Sequence, residues 1–237
     1  MLKIKNLNKS YGSKHILKNV NLNIDSGDIF GFIGKNGAGK TTTIKAVVGL
    51  IDFESGSIEI DNMDIKSNPL NCKKITAYIP DNPELYEFMS GLEYLNFIGD
   101  IFEINESEKK EKIEEYSNVF DLNQDLYSQI STYSHGMKQK LAIISALIHN
   151  PKLLILDEPF VGLDPTATHF LKEQFKEMCQ RGCAIFFSTH VLEVAQNLCN
   201  KIAIIKDGNI IKQGYTENIV EDSSLENIFL ELMKNEN

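Results

Sequence analysis

The chain lacks an excess of positive charge. Its 237 residues include 24 lysines and arginines against 33 aspartates and glutamates, which gives a formal net charge of −9. A protein that binds nucleic acid without sequence preference neutralises phosphates with such an excess. The composition therefore argues against sequence-independent binding of nucleic acid, and we expect no nucleic-acid partner.

Long hydrophobic runs are also missing. The longest apolar run extends from Leu141 to Ile148, well short of the roughly 20 residues that a helix needs to cross a bilayer. Residues 1–6 lack the apolar core of a secretory signal peptide. We therefore expect a cytoplasmic protein without a transmembrane segment.

Cysteines are few, and their spacing predicts no metal site. Cys72, Cys179, Cys183 and Cys199 form no CxxC pair, and no histidine or further cysteine lies beside them at ligand spacing. Zinc sites require such neighbours. We expect reduced and mostly buried thiols.

The chain does contain a phosphate-binding loop, in which two glycines separated by four residues precede Lys and Thr. Glycines permit backbone conformations that a Cβ forbids, so that successive N–H groups turn toward a phosphate. We expect Lys40 to place its ammonium against the terminal phosphates and Thr41 to offer its hydroxyl to Mg²⁺. The expected nucleotide contacts in this loop are Gly34, Lys35, Asn36, Gly37, Ala38, Gly39, Lys40, Thr41 and Thr42.

The context of the loop favours nucleotide binding over a chance match in a glycine-rich turn. Residues 28–33 predict a buried strand that enters the loop. A helix that begins near Lys40 leaves it, with Gly49 as the expected C-cap. Strand, loop and helix in this order are what the motif requires.

The remaining periodicity predicts an α/β protein with two kinds of strand. Residues 2–8 and 20–24 alternate apolar and polar, as half-buried antiparallel strands do. Three aliphatic runs are typical of a parallel sheet buried on both faces, and helices between them complete β-α-β units. These runs are residues 153–156, 184–188 and 202–205, with helices at 166–180 and 191–198.

The segment between the two groups of strands is predicted to be helical. Ser90 and Glu93 match a capping box at the start of one helix, and a second helix is expected at residues 106–120. The charged run 108–112 is interpreted as the solvated face of that helix, without a function. A further short amphipathic helix is expected to open at Ser223.

Two carboxylates follow the aliphatic strand at 153–156. At the carboxyl end of a central strand, Asp157 and Glu158 are expected beside the phosphate loop of a neighbouring strand. Asp157 would then hold Mg²⁺ opposite Thr41, and Glu158 would deprotonate the attacking water. Because adjacent strand residues point to opposite faces, the two carboxylates have separate roles. The alternative, two acids that only cap a strand, is weak given the aliphatic run before them.

Two other segments are predicted to contact phosphate groups. His190 follows the strand at 184–188, where we expect it to contact the γ-phosphate and the catalytic water; the alternative is an ordinary polar histidine. Ser134 and the N–H groups around Gly136 predict a second anion-binding helix start. The binding of one nucleotide does not evidently require both this helix start and the one that follows the phosphate loop.

Together these motifs resemble, over nearly the whole chain, the ATP-binding subunit of an ABC (ATP-binding cassette) transporter. The phosphate loop is then the Walker A motif, residues 153–157 form the Walker B strand, and His190 is the switch histidine. The signature motif, usually Leu-Ser-Gly-Gly-Gln, reads Tyr-Ser-His-Gly-Met at residues 133–137. Residues 162–165 resemble the D-loop, which includes Asp164. Tyr11 resembles the aromatic that stacks on adenine, although a surface tyrosine shielding a hairpin turn is the alternative.

The resemblance implies a P-loop NTPase fold with a parallel-sheet core, an N-terminal antiparallel β subdomain and a helical signature lobe. Within one domain, residues 1–80 and 150–215 would form the core, 81–149 the Q-loop and helical lobe, and 216–237 a helical tail. It also implies ATP and Mg²⁺ as cofactors and a second cassette, so that each ATP lies between one phosphate loop and the partner's signature motif. Asp164 would lie at that interface and couple the two sites.

Two positions depart from the family pattern. The Q-loop glutamine expected after Pro80 is Asp81, a shorter and charged side chain that can still meet Mg²⁺. The signature carries His135 and Met137 in place of Gly and Gln.

Residues 78–81, 133–139 and 224–229 resemble the ABC-2-type export branch of the family. This implies export through separate integral membrane permease subunits, with the chain at the cytoplasmic face of the membrane. The family docks its membrane partner on residues 81–93, where Leu85, Tyr86, Phe88 and Met89 are apolar for a free loop. The alternatives are a non-transport ABC ATPase and a regulatory cassette that binds ATP without hydrolysis.

Overall fold

The protein is described here by a computed structural model that covers residues 1–221 and 223–234. Its strands form two sheets. They are β1 (Leu2–Tyr11), β2 (Lys14–Ile24), β3 (Ile29–Ile33), β4 (Ser55–Ile60), β5 (Met63–Asp64), β6 (Thr76–Ile79), β7 (Leu153–Asp157), β8 (Ala184–Thr189), β9 (Lys201–Lys206) and β10 (Asn209–Tyr215).

The first sheet is antiparallel, with the strand order β2-β1-β4-β5. Leu2, Ile4 and Leu7 of β1 are buried, while Lys5 between them is exposed. This alternation confirms the predicted N-terminal antiparallel subdomain. Both strands are longer than the predicted residues 2–8 and 20–24, because β1 continues through Tyr11 and the hairpin turns only at residues 12–13.

The second sheet has the order β10-β9-β3-β8-β7-β6, and its strands from β9 to β6 run parallel. Every residue of β3, β7 and β8 is buried, as a sheet covered on both faces requires. The predicted parallel core is confirmed. The expectation that β7 neighbours the strand of the phosphate loop is wrong, because β8 lies between β3 and β7. Chain order does not give strand order when a later strand inserts between two earlier ones.

The helices cover both faces of the parallel sheet and form a separate lobe. They are α1 (Lys40–Val47), α2 (Pro69–Lys74), α3 (Gly91–Ile101), α4 (Glu106–Val119), α5 (His135–Leu147), α6 (Pro165–Gln180), α7 (Leu192–Leu198), α8 (Thr216–Val220) and α9 (Leu225–Lys234). A 3-10 turn at Ile130–Thr132 precedes α5. The C-cap of α1 is Val48, so Gly49, the expected cap, lies one residue beyond it with φ 71°.

The helical lobe consists of α3, α4 and α5. The predicted capping box is confirmed, since Ser90 Oγ accepts from Glu93 N at 3.2 Å and Glu93 Oε2 accepts from Ser90 N at 2.8 Å. The solvated face predicted for α4 is wrong at Lys109, which is buried. Its stem lies against α3, where a Cβ on Gly99 would come within 2.4 Å of Lys109 Cδ. The ammonium still reaches Asp100 and Glu106 at the surface, as long basic side chains do.

The four cysteines are free thiols, and all but the half-buried Cys179 are buried, as expected. Burial raises the pKa of Cys179 and Cys183 to about 12. Across residues 1–221 and 223–234, no helix has the length and apolar character needed to span a bilayer. The sequence analysis had not indicated the short elements α2 and β5 or the partly exposed edge strand β10.

Candidate nucleotide site

The start of α1 is built on glycine. Gly39 is its N-cap with φ 114°, and no side chain caps the helix. A Cβ on Gly39 would lie 2.8 Å from Leu17 Cδ2, and one on Gly34 would lie 2.7 Å from Ile205 O. Backbone conformation and close packing both require glycine at position 39, whereas close packing alone requires it at position 34. The first N–H groups of the helix therefore have no side-chain acceptor, which is the arrangement that binds anions.

Lys40 places a cation inside this loop. Its side chain is almost fully buried, and Nζ donates to Gly34 O at 2.7 Å and to Lys35 O at 3.4 Å. Glu158 Oε1 lies 3.8 Å away. A buried ammonium that is shared between carbonyls and one carboxylate is placed to accept further negative charge.

Thr41 and Asp157 meet across the two elements that carry them. Thr41 Oγ1 donates to Asp157 Oδ2 at 2.6 Å. Asp157 ends β7, and its second oxygen accepts from Ser188 Oγ on the intervening strand β8. Ser188 is fully buried and had not been identified as a site residue. Its hydroxyl among the aliphatic residues of β8 is the signal that identifies it.

Glu158 lies beyond the strand. The expectation that strand alternation separates it from Asp157 is wrong, because β7 ends at Asp157 and Glu158 has φ 51°. This left-handed backbone turns the carboxylate toward His190, whose Nδ1 lies 3.0 Å from Glu158 Oε2. Lys40, Glu158 and His190 are thereby brought together.

One cleft contains most of the predicted site residues. Asp81 lies in it together with Thr41, Asp157 and Glu158. Its other lining residues are Lys14, Ile16, Lys35, Asn36, Gly37, Gly39, Lys40 and Thr42. Lys14 and Ile16 had not been predicted; they share one face of β2 because they are two residues apart. Tyr11 is not among the lining residues, and its half-exposed ring lies 5.1 Å from Lys9 Nζ.

The second helix start lies apart from the cleft lining. Ser134 is the N-cap of α5, and its Oγ accepts from Met137 N at 3.2 Å. A Cβ on Gly136 would lie 2.9 Å from Gly162 O, so the signature segment packs against the D-loop segment of its own chain. Asp164 caps α6, and its pKa is lowered first by the hydrogen bond from Lys140, at 2.8 Å, and then by Ala167 N. Ser134, Gly136 and Asp164 do not line the cleft.

The donor atoms in the cleft fit a magnesium ion bound together with phosphates. In the described part of the chain, no three His, Cys, Asp or Glu side chains are grouped to hold a metal on their own. Thr41 and Asp157 nevertheless meet in the cleft that Asp81 also lines. A hydroxyl and carboxylates are the hard oxygen ligands that Mg²⁺ prefers, and Mg²⁺ is usually held by one or two carboxylates plus substrate phosphates.

Comparisons with known proteins agree with this geometry. The sequence profile of the ABC transporter family matches residues 17–161. The ABC-type transporter ATP-binding protein EcsA of Bacillus subtilis is 33% identical over 239 residues, which cover 99% of this chain and 97% of EcsA.

Solved structures extend the comparison to the fold. A structure titled ATP binding subunit of ABC transporter matches with a TM-score of 0.94 at 34% identity, covering 98% of this chain and 99% of the other. The ATP-binding cassette MJ0796, solved as a dimer in a post-hydrolysis state with ADP and Pi, matches with a TM-score of 0.80 at 25% identity, covering 91% of this chain and 99% of the other. The chain belongs to the ABC transporter family and is an ATP-binding, ATP-hydrolysing subunit of such a transporter.

Proposed function

We propose that the chain powers export through separate integral membrane permease subunits, and that two cassettes close head to tail around two ATP molecules. The observation that carries this proposal is the separation of two half-sites. The cleft contains the cation and the carboxylates, while Ser134 and Gly136 form a helix start outside it.

We assign binding and catalysis to different residues in the cleft and beside it. The loop residues Gly34 to Thr42 hold the phosphates, Lys40 neutralises the terminal ones, and Tyr11 stacks on the adenine. Thr41, Asp157 and Asp81 would hold Mg²⁺, which would neutralise charge on the phosphates. Glu158 takes a proton from the water that attacks the γ-phosphorus, and the bond to the β-phosphate oxygen breaks to leave ADP. His190, held by its contact with Glu158, orients that water and the γ-phosphate.

The second half-site is proposed to serve the partner's nucleotide. Ser134 is exposed and lies at the start of a 13-residue helix, whose dipole favours an anion there. Gly136 leaves the helix start without a side chain. Asp164, on the D-loop beside it, would lie at the interface and couple the two sites. A dimer of related cassettes exists in MJ0796, which supports a two-fold arrangement.

An exposed apolar surface supports a membrane partner. Phe88 and Leu70 are each 74% exposed, and Tyr86 and Leu50 are at least half exposed. An apolar groove lies at the carboxyl end of α1, and its lining includes Leu50, Phe53 and Tyr78. Exposed aromatic and aliphatic side chains in such number mark an interaction site. We assign these exposed side chains to contact with a permease, which would hold the chain at the cytoplasmic face of the membrane.

Export, as opposed to import, rests on the resemblance of residues 78–81, 133–139 and 224–229 to the ABC-2-type branch. The proposed division follows the same pattern, with residues 1–80 and 150–215 as the nucleotide-binding core, 81–149 as the helical lobe and 216–237 as the tail. A chain that acts alone on nucleic acid is disfavoured by its net charge of −9.

Purification of the tagged chain from detergent-solubilised native membranes tests the proposal. We expect a polytopic membrane protein to co-purify and to raise the ATPase rate of the cassette. The double variant Tyr86→Ser/Phe88→Ser should bind ATP normally but lose that protein. In vesicles with the cassette facing the bath, export appears as ATP-dependent uptake of solute from a cell extract. Absence of a membrane protein, or ATP-dependent release of preloaded solute, would contradict the proposal.

A further inference from the structure

The loop that joins β6 to α3, here called the docking loop (residues 81–90), is hydrogen-bonded to the segment that leads into the signature motif. Ile130 N donates to Met89 O at 2.9 Å, and Ser131 N donates to Glu87 O at 3.1 Å. Ser90 and Gln129 form an antiparallel bridge. The two segments are therefore joined by a short ladder of backbone hydrogen bonds, so that a displacement of one segment also displaces the other.

Tyr133, the first residue of the signature, closes the gap between the two segments. A Cβ on Gly91 would lie 2.3 Å from Tyr133 Oη, so the phenol fills the space beside α3. The same hydroxyl donates to Asp125 O at 2.6 Å. No side chain fits at position 91 without displacing Tyr133.

One side-chain contact extends this connection to α5. Lys138 Nζ lies 2.5 Å from Glu87 Oε1, with the lysine side chain largely buried and the glutamate more exposed. Lys138 N donates to Ser134 O at 3.0 Å, so Lys138 lies one helical turn after the N-cap. Glu87 lies between Tyr86 and Phe88, the two exposed rings that we assign to the permease.

We propose that the Glu87–Lys138 ion pair positions the start of α5 relative to the docking loop. The ion pair limits the sideways movement of the first turn of α5. It thereby fixes the positions of Ser134 and Gly136. Anything that binds Tyr86 and Phe88 then changes the position of the phosphate-binding start of α5. This inference rests on the proposed head-to-tail dimer and names the contact that links permease binding to it.

ATP-driven dimerisation provides the test, measured by sedimentation with Mg²⁺ and ATP in a Glu158→Gln background. Glu87→Gln and Lys138→Met should each weaken the dimer about three- to fivefold, the size expected for a partly exposed ion pair. The swap Glu87→Lys/Lys138→Glu should restore dimerisation to within about twofold. The effect should fade at high salt. Monomer affinity for a fluorescent ATP analogue should stay unchanged in every variant.

The matched control is the Glu173–Lys176 ion pair on α6, 2.8 Å long and outside both half-sites. Glu173→Gln and Lys176→Met should leave dimerisation as in the parent. Hydrogen exchange of amides 133–138 is a second readout, expected to accelerate in both single variants and to recover in the swap. If the Glu158→Gln parent stays monomeric in the presence of ATP, the proposed dimer is contradicted. The hydrogen-exchange data would still test the role of the Glu87–Lys138 ion pair. Unchanged exchange in the single variants, or no recovery in the swap, overturns the inference.

Discussion

The starts of α1 and α5 differ in how much of a phosphate site each one completes. The start of α1 lies in a cleft beside a buried cation and three carboxylates, and glycine forms its cap. The start of α5 has a side-chain cap from Ser134 and lies outside that cleft. The ammonium groups of Lys138 and Lys140 that follow it are already paired with Glu87 and Asp164.

Under the proposed head-to-tail dimer, this difference explains why a single chain carries two such starts. The start of α1 has every group needed to bind a triphosphate, because cation, backbone donors and metal-binding oxygens converge there. The start of α5 has backbone donors and a hydroxyl only. Such a half-site binds a phosphate more tightly when another molecule already holds the nucleotide. A two-fold dimer of cassettes provides this arrangement.

The largest effect is expected from Glu158→Gln, which breaks the chemistry at α1 and spares binding. Turnover should fall about 10²–10⁴-fold because the general base is lost. ATP should still bind and should trap a closed dimer, since Glu158 is not required for phosphate affinity. Phosphate release and sedimentation of the same sample measure both effects. Turnover within a few-fold of the parent would rule out the role of Glu158 as base.

Mixing two inactive variants tests whether the two starts serve different chains. Lys40→Ala should weaken nucleotide binding at α1, and Gly136→Asp should place a carboxylate against the partner's γ-phosphate at α5. In an equal mixture, the heterodimer has one site with both defects and one with neither. If sites act independently, about a quarter of the parent ATPase rate should return, because half of the dimers are mixed and half of their sites are intact.

The control for this mixture is each variant alone, which should remain inactive at the same total concentration. Gly136→Asp should also bind ATP as a monomer almost as the parent does. A mixture that stays silent, although labelled subunits demonstrably form heterodimers, would refute shared sites.

The far end of α5 offers a smaller, pH-dependent effect on stability. His149 stacks on Phe102 with ring centroids 3.7 Å apart, and burial lowers the pKa of its imidazole to about 4. Between that value and the ordinary pKa near 6.5, the unfolded chain binds more protons than the folded one. The free energy of unfolding should therefore fall as the pH drops from about 6.5 to 4, by about 3 kcal/mol from this residue.

Urea unfolding at several pH values measures this contribution. His149→Phe keeps the stack and should flatten the pH dependence in that window. His169→Gln, which replaces an exposed histidine on α6, serves as the control and should leave the profile as in the parent. Identical profiles for the parent and His149→Phe would show that His149 does not titrate in this way.

The smallest effect concerns Asp81 in the α1 cleft. In the proposed site, its carboxylate would add negative charge near both Mg²⁺ and the triphosphate, and only a bound cation would offset that charge. The parent ATPase should therefore depend more steeply on free Mg²⁺ than Asp81→Gln or Asp81→Asn. Asp81→Asn keeps the length and removes the charge, so it isolates electrostatics from reach. Superimposable Mg²⁺ titrations for the three proteins would place Asp81 outside the metal site.

Much of the local structure is encoded within a few residues. The phosphate loop, the capping box of Ser90 and Glu93 and the aliphatic runs of β7, β8 and β9 were predictable because glycine conformation, capping and burial act over short stretches of chain. The order of strands and helices then indicated an α/β protein, while the resemblance to the ABC family implied the cassette fold. These features depend on residue type and spacing alone.

The geometry of the site depended on contacts between distant parts of the chain. Ser188 reaches Asp157 because β8 inserts between β3 and β7, an order that local patterns do not contain. Glu158 turns toward His190 only because its backbone leaves the strand at φ 51°. Glu87 and Lys138 are 51 residues apart in sequence. Periodicity reports which face of an element is buried, whereas packing alone decides which side chains then meet.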